Sequence, residues 1–173
     1  MDIGIGLFGL GTVGSGVVKI LQDNADQIAK RTGTHLLVKH AVVNNLEKKR
    51  TGFINNFPIT NDAKDILNNP EIQIVVEVMG TLDQAYKIIK DSLTAKKHVV
   101  TANKDLIASR GQELVAIAEA NGVDLFFEAA VAGGIPILRT LANSFTADEI
   151  SRVAGIINGT SNFILTQMTT NKL

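Results

Sequence analysis

Four short strings in this chain combine residue types that binding chemistry requires. Gly9-Leu10-Gly11-Thr12-Val13-Gly14 is a G-x-G-x-x-G run, placed directly after the apolar stretch Ile3–Phe8 and opening a helical one. In that setting the first glycine permits a tight turn, the second lets a pyrophosphate approach the backbone, and the third lets helix and strand pack closely. The unpaired N–H groups and positive dipole end of the helix suit the phosphates. Glu77 lies in the otherwise apolar Val76-Glu77-Val78-Met79-Gly80-Thr81. A carboxylate there needs an internal partner or a place at a strand's mouth, and Thr81 suits a helix cap as well as a ligand contact. Thr101-Ala102-Asn103-Lys104 follows a further apolar run. A lysine at such an edge can hold a carboxamide or ribose, or polarise a carbonyl oxygen; a plain surface charge is the competing reading. Glu128-Ala129-Ala130-Val131-Ala132-Gly133-Gly134-Ile135-Pro136 joins one carboxylate to a glycine-rich turn. Backbone carbonyls beside one negative charge suit a hard monovalent cation, although residue type alone favours an interdomain linker.

These strings need a scaffold that brings strand ends together. Apolar runs Ile3–Phe8, Leu36–Val43, Ile72–Met79, His98–Thr101 and Asp124–Glu128 read as strands. Helices are expected from Thr12 to about Lys30, with Val13, Val17, Val18, Ile20 and Leu21 as the apolar stripe. Others are expected over a short segment capped by Asn61 and ending at Leu67, over Leu82–Ala95 and over Gln112–Asn121. Asn44–Thr60, with its basic Lys48-Lys49-Arg50, reads as a solvated loop. Alternating strands and helices predict an α/β fold, a Rossmann-type doubly wound parallel sheet. After it the texture changes: a helix over Ile135–Ala142, a strand over Glu149–Ile157 and a helix over Gly159–Leu173 predict the beginning of a second α+β domain. The expected division is 1–134 and 135–173. At the end of the second strand, where such folds carry an acid for a ribose 2′-OH or an arginine for a 2′-phosphate, the chain has Val43-Asn44-Asn45. Asn44 or Asn45 can bond a ribose hydroxyl and the basic triplet can reach a phosphate, so NAD and NADP both remain open.

Composition narrows the classes. The 173 residues carry 17 basic and 17 acidic side chains, a balance that argues against nucleic acid as a partner. No apolar run reaches the roughly 18 residues of a membrane span, and the start lacks the features of a signal peptide, so a cytoplasmic location is expected. The chain contains no Cys, which removes disulfides, thiolate metal sites and the cysteine thioester by which semialdehyde-oxidising dehydrogenases work.

Taken in order, Gly9–Gly14, Glu77–Thr81, His98–Lys104 (HVVTANK), Glu128–Pro136 (EAAVAGGIP) and Gly155–Leu165 (GIINGTSNFIL) resemble the N-terminal part of homoserine dehydrogenase. The resemblance implies NAD(P)-dependent interconversion of L-homoserine and L-aspartate 4-semialdehyde, in the threonine and methionine branch of amino-acid biosynthesis. It implies a cofactor, NADP or NAD, on Gly9, Gly11, Thr12, Val13, Gly14, Asn44, Thr81, Thr101 and Lys104, with Lys104 also catalytic. It further implies a sodium ion held by Glu128 and the carbonyls of Val131, Gly133 and Ile135, a small-molecule substrate, and a homodimer for the complete enzyme. The arginine that many members carry after the second strand is replaced here by Asn44 or Asn45. The family's substrate-binding acids and second lysine lie beyond Leu173, so this chain is expected to bind cofactor and be nearly inactive. The alternative reading is a non-catalytic dinucleotide-binding or sensing module.

Overall fold

The structure, a computed structural model, describes residues 2–53, 56–156 and 158–171. They fall into two compact units, Met1–Val131 and Ala132–Leu173. In the first, strands β1 (Asp2–Phe8), β2 (His35–Val42), β3 (Ile59–Thr60), β4 (Ile74–Glu77), β5 (His98–Thr101) and β6 (Leu125–Phe126) form one sheet in the order β3-β2-β1-β4-β5-β6. Every neighbouring pair is parallel. Helices α1 (Thr12–Asp23), α2 (Ala25–Thr32), α3 (Lys64–Leu67), α4 (Asp83–Thr94) and α5 (Lys104–Asn121) make the crossovers. The order reverses direction between β1 and β4, and that switch opens a crevice at the carboxyl ends of the strands. The doubly wound parallel sheet expected from the alternation is the one observed.

Strand alternation divides the core into two layers. Ile5 and Leu7 of β1 pack with Val18, Ala41 and Val76 on one face. Phe8 packs on the other with Ile66, Val75, Ile89, Val99, Leu106 and Leu114. Both faces of a parallel sheet are covered, so its strands read as continuous apolar runs. Burying each large aliphatic side chain contributes roughly 1.5–3 kcal/mol. Gly6 is required by closeness: a Cβ there would lie 2.6 Å from Cγ2 of Ile66.

Several expected elements differ. The first helix is two: it breaks at Asn24, whose N–H and side-chain amide both donate to the Ile20 carbonyl, and α2 ends at Gly33 with φ +74°. Val13 and Ile20 do not join the buried stripe but are exposed, because Gly14 and Val18 face the sheet. The segment read wholly as loop contains β3, which pairs through Ala41 with Ile59 and Val42 with Thr60. Asp62, rather than Asn61, accepts the Lys64 N–H at the start of α3. Helix α5 begins eight residues before Gln112. Gly111, which weakens a helix reading, is buried in its interior, and a Cβ there would lie 3.3 Å from Ile107.

In the second unit α6 (Ile137–Arg139) runs into a wider helical turn over Thr140–Ser144, and α7 covers Gly159–Asn171. The strand expected over Glu149–Ile157 is absent: residues 149–156 carry no regular structure, and Ile157, like Lys172 and Leu173, lies outside the described residues. A strand is stabilised by pairing, and among the described residues of this unit there is no other extended element to pair with.

Candidate functional site

The crevice at the switch point is built on the glycine turn. Gly9 has φ +99°, and a Cβ on it would meet the Val78 carbonyl oxygen at 2.8 Å, so the left-handed backbone and the adjacent β4 loop both demand glycine. Its N–H donates to the Val42 carbonyl at 3.0 Å, which ties the turn to β2. Gly14 backs onto the Gly9 carbonyl, while Gly11, the residue before α1, has nothing within 4 Å of where its Cβ would be. That open space beside unpaired helix N–H groups is the room a pyrophosphate needs. The dinucleotide therefore fits these residues. Thr12 and Val13 are exposed at the start of α1.

A cleft of about 270 Å³ opens here between Gly9–Gly11 and the segment after β2, which presents Asn44, Asn45, Lys48 and Arg50. Arg50 is half-buried and does more than face solvent, the role its charge run suggested. Its Nε donates to the Leu10 carbonyl at 3.3 Å, Nη1 to that of Lys48 at 2.8 Å and Nη2 to that of Asn45 at 2.7 Å. One planar guanidinium thereby fastens the loop to itself and to the glycine turn. No sequence spacing announces this, because the three acceptors are backbone groups.

The next strand mouths carry Glu77, Thr81, Thr101 and Lys104. Glu77 and Thr101 are register partners on β4 and β5, fully buried and 1% exposed respectively. The Thr101 hydroxyl donates to Glu77 Oε2 at 2.7 Å, and Met79 N–H donates to Oε1 at 2.8 Å. Thr101 thus turns its hydroxyl inward, toward Glu77. Glu77 is thus paired inside by hydrogen bonds, and α4 has no side-chain cap from Thr81. Asn103 caps α5, its Oδ1 accepting from Leu106 N–H at 3.2 Å, and its amide donates to the Thr81 carbonyl at 2.7 Å. Lys104 is the exposed first residue of α5 and Thr81 is exposed beside α4. A lysine at a helix N-terminus opposes the dipole, so the helix itself gains nothing from it. His98, at the opposite end of β5, accepts the Asp124 N–H on Nδ1 at 3.1 Å, a structural role.

Glu128 opens a 3₁₀ turn over Glu128–Ala130, and the Val131 N–H donates to its carbonyl at 3.1 Å. Ala132 and Gly133 have φ +56° and +58°. Among the described residues no group of three or more His, Cys, Asp or Glu side chains could hold a metal ion, and no helix is long and apolar enough to cross a membrane.

Comparison with known proteins matches this geometry to a family. The homoserine dehydrogenase NAD-binding domain matches residues 9–128, spanning the glycine turn through Glu128. The chain belongs to the homoserine dehydrogenase family. A second homoserine dehydrogenase domain matches residues 136–173. The chain is 49% identical over 170 residues to the homoserine dehydrogenase of Bacillus subtilis, covering 98% of this chain and 39% of that protein. It is 45% identical over 172 residues to that of Lactococcus lactis, covering 97% of this chain and 40% of the relative. The crystal structure of a homoserine dehydrogenase from Thiobacillus denitrificans superposes with a TM-score of 0.89 at 46% identity, over 100% of this chain and 40% of that one. A hyperthermophilic archaeal homoserine dehydrogenase in complex with NADPH superposes with a TM-score of 0.66 at 27% identity, over 82% of this chain and 48% of that one. The chain thus spans about two fifths of the length of the curated relatives it matches.

Proposed function

We propose that this chain forms the cofactor-binding half of an enzyme that interconverts L-homoserine and L-aspartate 4-semialdehyde with NADPH or NADH. The observation that carries the reading is the glycine turn at the switch point: Gly9 at φ +99°, Gly14 packed against its carbonyl, and Gly11 with nothing within 4 Å of its Cβ position. Gly11, Thr12 and Val13 would hold the pyrophosphate through backbone N–H groups, and Asn44 the adenosine ribose. Thr81, Thr101 and Lys104 would hold the nicotinamide end. The cleft's lining includes Lys48 and Arg50 and, among the described residues, no carboxylate. That charge balance favours a 2′-phosphate, so NADPH is expected to bind more tightly than NADH.

In the oxidation direction the hydroxyl carbon of homoserine would lose a hydride to the nicotinamide while its oxygen releases a proton to solvent. The bound nicotinamide supplies the hydride acceptor. Lys104 would stabilise the developing alkoxide from its place at the crevice. A sodium ion on Glu128 and the carbonyls of Val131, Gly133 and Ile135 is chemically consistent with oxygen-only donors and one negative charge. The Ile135 carbonyl also accepts from Ile137 N–H at 2.8 Å, leaving its second lone pair for the ion. Residues 135–173 would be the start of the substrate and dimerisation domain. A cytoplasmic homodimer is the family-level expectation for the complete protein.

The test is a titration of the chain with NADPH and NADH, followed by cofactor fluorescence because the chain has no Trp. Saturable binding with NADPH the tighter ligand is expected. No saturable binding of either would overturn the reading.

A further inference from the structure

A buried carboxylate is costly unless its oxygens are satisfied. Glu77 is fully buried, and among the described residues no cation lies within ion-pair distance of it. Both oxygens instead accept hydrogen bonds, one from Met79 N–H and one from the Thr101 hydroxyl. Because that hydroxyl's proton is committed to Glu77, Thr101 Oγ1 meets Asn103 as an acceptor, taking its N–H at 3.1 Å. Asn103 then uses both ends of its amide, capping α5 through Oδ1 and donating through Nδ2 to the Thr81 carbonyl. The bonds run from β4 to β5, into the first turn of α5, and back to the loop after β4. They end on Thr81 and at the helix start that carries Lys104.

We infer that Glu77 is a positioning residue: through Thr101 and Asn103 it locks the Met79–Thr81 loop to the start of α5, and so sets the geometry that receives the nicotinamide end of the dinucleotide. The inference rests on the cofactor reading above. An ionised carboxylate accepts on both oxygens at once. A glutamine keeps the shape but has a single accepting oxygen, so either the Thr101 hydroxyl or the Met79 N–H loses its acceptor and one end of the connection is released. The adenosine half would lie mainly between the glycine turn and the loop fastened by Arg50, in a cleft that Met79 lines only in part, so it is expected to feel a change at Glu77 less than the nicotinamide end does.

The test compares NADPH with 2′-phospho-ADP-ribose, which lacks the nicotinamide, by calorimetric titration of the 173-residue chain. Glu77→Gln is expected to weaken NADPH about five- to ten-fold, the ratio that loss of one hydrogen bond carries, and to change the truncated ligand less than about two-fold. Asn103→Asp is the second variant. It keeps the α5 cap, since aspartate caps as well as asparagine, and replaces the bond to Thr81 with a repulsive contact between two acceptor oxygens; the same selective loss is expected. Equal weakening of both ligands would reduce Glu77 to a structural role, and unchanged NADPH binding in both variants would remove it from the site; either overturns the inference. A wild-type chain that binds neither ligand would overturn the cofactor reading itself, a result distinguishable from these.

Discussion

A Cβ on Gly14 would lie 2.1 Å from the carbonyl oxygen of Gly9, closer than any side-chain carbon approaches a backbone oxygen. The third glycine of the turn is therefore a packing residue, and the second, Gly11, has nothing within 4 Å, the room that the proposed dinucleotide would use. Gly14→Ala must push α1 off the sheet and is expected to cost about 3 kcal/mol, the upper end of overpacking penalties, lowering Tm by roughly 6–12 °C. Gly11→Ala is expected to leave stability within about 0.5 kcal/mol while weakening NADPH about ten-fold or more. Thermal unfolding and cofactor titration of the pair separate the roles; a Gly11→Ala chain with intact binding would contradict the assignment.

Arg50 offers a second separation. Its three donors reach three carbonyls, a reach that a lysine ammonium lacks. Arg50→Lys is expected to cost about 1 kcal/mol. It should also speed amide exchange across residues 44–50 and weaken both NADPH and 2′-phospho-ADP-ribose. Exchange rates unchanged in that segment would show that the loop holds without the guanidinium.

Lys104→Met tests chemistry against stability. The side chain is exposed at the positive end of α5, so its removal is expected to leave Tm unchanged or raise stability by about 0.3–1 kcal/mol. On the proposed function, the same change in a homoserine dehydrogenase carrying this sequence is expected to lower kcat for homoserine oxidation about 10²–10³-fold. A variant with full turnover would exclude Lys104 from the catalytic step.

Lys97 gives the pH dependence. Its ammonium is buried before β5 and donates to the carbonyls of Asn69 and Ile72, both at 2.7 Å. Burial lowers its pKa from 10.5. The unfolded chain therefore keeps this proton at pH values where the folded chain has begun to lose it. Stability contributed by this group rises with pH from the lowered folded value up to 10.5 and is flat below that window. Lys97→Met leaves the two carbonyls without donors and is expected to cost about 1–3 kcal/mol at neutral pH. The wild-type advantage should widen toward pH 10.5. Urea unfolding of both proteins at neutral and alkaline pH measures it; a gap that narrows would reverse the sign of the argument for this lysine.

Much of the fold was legible because its determinants are local. The runs Ile3–Phe8 and His98–Thr101 and the glycine spacing from Gly9 to Gly14 each act within a few residues. Their alternation leaves little choice but a parallel sheet with crossovers. The strand expected over Glu149–Ile157 shows the limit: an apolar run becomes a strand only beside a partner, and pairing is not a property of the run. Val13 and Ile20 show it again, since a helical stripe does not declare which of its edges meets the sheet.

The sequence by itself determined that a dinucleotide-type turn exists, because backbone freedom belongs to individual residues. Only the tertiary structure decided what Glu77, Arg50 and Lys97 do. Each is a charged group satisfied by partners 2 to 40 positions away, most of them backbone carbonyls and N–H groups. Every residue carries those backbone groups, so no residue type marks them, and they become specific partners only when the sheet places one strand's end beside the next.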